Sequence, residues 1–169
     1  MTIAGLDGAT AVVTGGGSGI GAAVVGLLER SGATVHVADL GGDPAVAVTD
    51  RTALDALAAR VKAESGGLEV LVNAAGILTQ NLPVDELPAD DFRRNYEVNV
   101  IGTVNACQAF GPFPRARRGT VVNVASQAAL VSLPQQAAVF LASPLASAIT
   151  GGVLPVDGGW TAGEAALPW

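Results

Sequence analysis

The chain of 169 residues is poor in the side chains that usually carry reactive chemistry. It has one cysteine, Cys107, so no internal disulfide can form. Its one lysine is Lys62, which rules out the Gly-Lys-Ser/Thr ending of a Walker phosphate loop. Tyr96 is its single tyrosine and His36 its single histidine. Basic residues number 9 against 15 acidic ones, for a net charge of −6, so the positive footprint of a nucleic-acid binder is missing. The small cluster Arg115, Arg117 and Arg118 reads as a solvated loop before a strand. No charged residue stands between Arg118 and Asp157. That tract is not a membrane span, which needs about 20 predominantly apolar residues. Asn123, Ser126, Gln127, Pro134, Gln135, Gln136, Ser143 and Pro144 interrupt every such window, and a buried strand–helix–strand unit fits better. The start, MTIAGLDGATAVV, shows no basic n-region and no clear cleavage site, so a cytoplasmic location is the expectation.

What is present describes a folded chain. Half the residues are apolar and 14% are charged, the reverse of a disordered composition. The length suits a single domain, 1–169, with a real core. TAVVT (10–14) and TVHVA (34–38) read as buried strands, AVAV (45–48) as a third, and LEVLV (68–72), TVVNV (120–124) and VLPV (153–156) as the rest. Ile20, Val24, Leu27 and Leu28 recur at helical spacing, and Ser31-Gly32 ends that helix. Asp50 predicts an N-cap for a helix over 51–64 with Leu54, Leu57 and Val61 on its core face. A Pro-containing loop over 76–89 leads to a long helix from about Asp90. Its inward face is expected to carry Phe92, Tyr96, Val100, Thr103 and Cys107. QQAAVFLAS (135–143) reads as helix, which Pro144 ends or kinks. Alternating strands and helices imply a parallel sheet covered on both faces.

TGGGSGIG (14–21) joins the first strand to the first helix. Gly17, Gly19 and Ala22 fit G-x-G-x-x-A; Gly15, Gly19 and Gly21 fit G-x-x-x-G-x-G. Bare backbone lets a pyrophosphate approach, and the helix N-terminus offers N–H donors and partial positive charge. Asp39 closes the second strand, where a carboxylate can accept bonds from both hydroxyls of an adenosine ribose and repels a 2′-phosphate. NAD(H) is therefore expected over NADP(H). A tight structural turn and a solvated strand-end aspartate are the functionless alternatives.

Together these features resemble the short-chain dehydrogenase/reductase family over almost the whole chain. TGGGSGIG resembles its cofactor loop, and Asn73-Ala74-Ala75-Gly76 its Asn-Ala-Gly element beside the cofactor. Val98-Asn99-Val100 resembles the segment bearing its catalytic asparagine, and Val122–Ser126 the strand ending in its catalytic serine. FLASPLASAITGGVLPVDGGW (140–160) is similar to its C-terminal helix, last strand and Asp-Gly-Gly turn. The resemblance implies an α/β, Rossmann-like doubly wound parallel sheet of about six strands. It implies hydride transfer between a nicotinamide and a carbonyl or secondary alcohol, with catalytic roles for Asn99 and Ser126. Gly15, Gly17, Ser18, Gly19, Ile20, Gly21, Asp39, Leu40, Val48, Asn73, Ala74, Ala75 and Gly76 would bind the cofactor, and no metal is implied. From the residues alone, Asn99 could equally be a core amide satisfied by backbone, and Ser126 a helix-start serine.

The departures are as informative. The family pairs a proton-transferring tyrosine with a lysine four residues on, and this chain contains no Tyr-x-x-x-Lys. SLPQQAA resembles the approach to that tyrosine, while AAVFLAS resembles a segment from much later, the two being fused at about 135–138. A block of several dozen residues is absent by that comparison. Phe140 and Pro144 restore no proton chemistry in the other phasing. Ala47 stands where the family often has an aspartate toward the adenine. The fused helix, about 135–148, is expected to cross over to the last strand, which would take the place of the missing one. The expected assembly is a homodimer at most, or one altered from the family's tetramer, whose long interface helix belongs to the missing block. Tyr96 has the phase of a packing residue. Three readings stay open: a shortened NAD(H)-dependent oxidoreductase, an NAD-binding pseudoenzyme, and a rearranged minimal scaffold without catalysis.

Overall fold

A computed structural model describes residues 2–79, 85–86 and 88–125. Four parallel strands make the sheet: β1 (Thr10–Thr14), β2 (Thr34–Ala38), β3 (Val70–Asn73) and β4 (Thr120–Asn123), in the order β2-β1-β3-β4. The chain leaves β1 toward β2 through α1 (Gly19–Arg30), then returns past β1 to β3 through α2 (Arg51–Ser65). It reaches β4 through α3 (Ala89–Tyr96), a π-helical turn (Glu97–Ile101), α4 (Gly102–Phe110) and α5 (Pro112–Arg117). Right-handed crossovers that run in opposite directions place their helices on opposite faces. Val24, Leu27 and Leu28 of α1 accordingly pack on Ala11, Val13, Val70, Val72 and Val122. Leu54, Leu57 and Val61 of α2, with Ala106 and Phe110 of α4, pack on Val12 and Leu71. The alternation along β1 and β3 thus feeds two cores, and both strands are buried throughout.

The Rossmann-like sheet and the α1 and α2 helices agree with the sequence reading. Asp50 caps α2 by accepting from the Ala53 amide at 3.0 Å, and Gly66 ends it at φ 71°. Of the six expected strands, five lie among the described residues and four of those form. The expected strand 153–156, the fused helix and Ser126 lie outside them.

Residues 45–48 form no strand. A parallel neighbour to β2 needs a crossover of about a dozen residues or more, and only residues 39–44 separate Ala38 from Ala45. Val46 and Val48 still alternate inward, buried against the helical layer instead of a sheet edge. The expected long helix runs on from Ala89 to Phe110 with the π turn inside it, and its predicted inward face holds only in part: Cys107 packs against the core and Thr103 is half-buried, but the earlier positions face outward. Phe92 and Tyr96 are 64% and 51% exposed, and Val100 is exposed as well. The buried positions are Gly102, Ala106, Ala109 and Phe110. Residues 112–117 form α5 rather than a loop, and Arg117 pairs with Glu69, whose other oxygen accepts from the Thr10 amide at 2.8 Å.

His36 lies in β2 with a side chain 10% exposed and its Nε2 buried without a partner. Burial pulls its pKa below the usual histidine value; Glu64 pulls the other way, and Arg60 adds to the lowering. The folded state therefore binds fewer protons than the unfolded one once the pH drops below about 6.5, and stability falls with pH there. Denaturant titrations should show this loss between about pH 7 and about pH 5. His36→Leu should flatten the curve over that window. An equal slope in the variant would assign the effect elsewhere.

Candidate functional site

The loops after β2, β1 and β3 lie side by side at the C-terminal edge of the sheet. This sheet reverses its winding between β1 and β3, and open α/β sheets take ligands at such a point. Gly15 continues the β1–β2 ladder, its amide donating to the Ala38 carbonyl at 2.8 Å, and then turns with φ 68°. A Cβ on Gly15 would stand 2.6 Å from the Ala75 Cα, so only glycine lets the two loops touch. Thr14 reinforces the join: its hydroxyl accepts from the Ala74 and Ala75 amides, both at 3.2 Å.

Helix α1 begins at Gly19 after Ser18, whose side chain makes no capping bond, and its first turn carries no acidic residue. Amides in that turn lack intrahelical acceptors and favour an anion. A Cβ at Gly19 would meet nothing within 4 Å, so the loop opens outward there. One carboxylate oxygen of Asp39 accepts from the Gly17 amide and the other from the Gly41 amide, each at 2.9 Å. A Cβ on Gly17 would stand 2.7 Å from that carboxyl group. Asp39 joins none of the ion pairs among the described residues. Bare loop, uncapped helix mouth and a carboxylate turned to the loop fit a dinucleotide cofactor.

On the far side, Asn73 and Asn123 pair across β3 and β4, the Asn73 amide nitrogen donating to Asn123 Oδ1 at 2.8 Å and to Cys107 Sγ at 3.3 Å. Burial pushes the Cys107 thiol up, beyond what the Asn73 bond takes off, which suits a packing residue better than a nucleophile. Asn99 sits within the π turn, a feature frequent at functional sites. It is exposed rather than inward-facing, yet its amide is bonded at both ends: it accepts from the Ile77 amide and donates to the Ile77 carbonyl, both at 2.8 Å.

A chain of contacts thus runs from Asp39 through Gly17, Gly15, Ala75 and Gly76 to Asn99. The structure brings these expected residues together, with Ser18, Gly19, Ile20 and Gly21 at the helix mouth. Leu40 is 75% exposed beside Asp39. Val48 is buried against Gly102. Sequence reading missed Thr14, Ile77 and Asn123. Thr14 and Asn123 could have been found as polar residues ending buried strands. Ile77 acts through its main chain and leaves no signal. Among the described residues no helix is long and apolar enough to cross a membrane.

The family profile described as short chain dehydrogenase matches residues 44–143. D-threitol dehydrogenase of Mycolicibacterium smegmatis is 37% identical, the match covering 79% of this chain and 58% of that one. 2,5-Dichloro-2,5-cyclohexadiene-1,4-diol dehydrogenase of Sphingobium indicum is 38% identical over 76% of this chain and 58% of that one. Ligand-free aldohexose dehydrogenase of Thermoplasma acidophilum superposes with a TM-score of 0.69 at 25% identity, covering 81% and 56% of the two chains. The matches therefore span less than two thirds of these relatives.

Proposed function

The chain belongs to the short-chain dehydrogenase/reductase family, and from that membership we propose that it binds NAD(H) in preference to NADP(H) and retains only an impaired form of the family's oxidoreduction. The observation that carries the reading is the Asp39 carboxylate held against the glycine loop and joined to no cation among the described residues. The amides opening α1 would hold the pyrophosphate, Asp39 the ribose hydroxyls, and Asn73–Gly76 the cofactor's inner flank. When bound, the nicotinamide supplies a hydride donor or acceptor.

Asn99 fixes the Ile77 main chain, and with it the wall of the cleft beyond Gly76. Ser126 is proposed to polarise the substrate oxygen. No tyrosine–lysine pair is available to move the proton at that oxygen, because Tyr96 and Lys62 lie on different helices. Losing a general acid/base costs about 10²–10⁴ in rate. The two curated relatives are, by name, dehydrogenases of a threitol and of a cyclic diol, so small polyols and diols are the first substrate class to assay. A single dinucleotide-binding domain over 1–169, a cytoplasmic location and a homodimer at most complete the proposal.

Following nicotinamide absorbance with a polyol panel tests it. Turnover should lie about 10²–10⁴ below that of a full-length relative, and Tyr96→Phe should leave it unchanged. Full-rate turnover, or loss of activity in Tyr96→Phe, would overturn the impaired reading. NADH binding without any turnover would favour the pseudoenzyme alternative, which the missing Tyr-x-x-x-Lys supports.

A further inference from the structure

We propose that Asn105 is a positioning residue for the adenine end of the cofactor cleft, an inference that rests on the NAD(H) reading above. The base of a dinucleotide is attached to the ribose that Asp39 would hold. The wall it can reach is therefore the loop leaving Asp39. That loop is fastened at its start by the Val46 amide, which donates to the Asp39 carbonyl at 2.9 Å. It is fastened at its end by the Asp50 cap on α2. Between them, the Asn105 side-chain nitrogen reaches across from α4 and donates to the Val48 carbonyl at 3.1 Å. Gly102, one turn earlier, makes this approach possible, since a Cβ there would stand 2.5 Å from Val48 Cγ2.

Asn105 is an odd residue for its place. Asparagine is a weak helix former in a helix interior, and this one spends a donor on a loop distant in sequence. Asn99, on the same helical rod, does the same for the loop after β3 by pairing with Ile77. The two amides brace the loops on either side of the glycine loop. The π turn begins before Asn99 and ends at Ile101, so it lies between α3 and the turn that carries Asn105. A π turn takes more residues than an α turn, and it offsets the face on which Asn105 stands from the face set by α3. The amide acts on the cofactor through the Val48 main chain and touches no reacting atom.

The test compares wild type with Asn105→Leu and Asn105→Asp, the latter keeping the volume and replacing the donor with an acceptor. ADP and NADH affinities are read by calorimetry well below the melting temperature, with amide exchange over residues 44–50. Ser31→Ala serves as control: it removes bonds to Leu27 and Ile3 at the opposite end of α1. Both Asn105 variants should bind ADP and NADH about five- to tenfold more weakly and exchange faster at residues 46–49. Ser31→Ala should melt earlier with its affinities unchanged. Folded Asn105 variants that bind ADP like wild type, or that merely melt early as Ser31→Ala does, would overturn the inference. If wild type itself binds neither ligand, the cofactor reading fails, and the inference falls with it.

Discussion

Replacing Gly21 by alanine should lower stability by about 3 kcal/mol or more and remove cofactor binding with it. The added Cβ would overlap the carbonyl oxygen of Gly15, at the start of the same loop. A main-chain neighbour cannot swing aside as a side chain can. Either α1 moves off the sheet, giving up the burial of Val24 and Leu28, or the loop after β1 deforms. A loss of that size moves the melting temperature down by roughly 6–12 °C for a chain of this length. Gly19→Ala is the matched comparison. Its Cβ would meet nothing within 4 Å, so the cost is that of a left-handed backbone at φ 51°, about 1–2 kcal/mol. Calorimetric melting of the two variants decides: equal melting points would mean that the loop is not packed as described.

Asp39→Asn should weaken NADH binding by about ten- to a hundredfold, the range expected when charge-assisted hydrogen bonds are lost. Preference for NADH over NADPH should shrink at the same time, because the charge that repels a 2′-phosphate is gone. The amide side chain keeps one acceptor, so either the Gly17 or the Gly41 bond is given up. Loop order is then partly lost, and the effect on affinity exceeds that of the ribose contacts alone. Competition titrations with the two coenzymes measure both numbers. Unchanged NADH affinity would remove Asp39 from the site.

Much of this was legible in the sequence because the local and global signals agree. The β-branched run at Thr10–Thr14, the glycine loop and the helical spacing of Val24, Leu27 and Leu28 all point to one strand–loop–helix unit. Asp50 marks the start of α2 by its own chemistry. The errors arose where a residue's neighbours lie far off in the chain. Residues 45–48 alternate like a strand, but too little chain precedes them to cross back to the sheet. Along the helical rod, large apolar residues at 92, 96 and 100 suggested the buried face. The buried surface instead belongs to Gly102, set against Val48, and to Ala106, Ala109 and Phe110 in the core. Hydrophobic periodicity weighs bulk and so chose the other side. The π turn has no sequence signature of its own. Asn105 reads from the sequence as a weak helix residue, and only the fold brings Val48 to it.

The central claim is that a bare helix mouth and an uncompensated carboxylate select a dinucleotide without a 2′-phosphate. Calorimetric titration of the folded wild-type chain with NADH, and in parallel with NADPH, addresses it most directly. The account predicts saturable heat with NADH and markedly weaker binding of NADPH. Flat heats with NADH from protein that melts cooperatively, or tighter binding of NADPH, would contradict it.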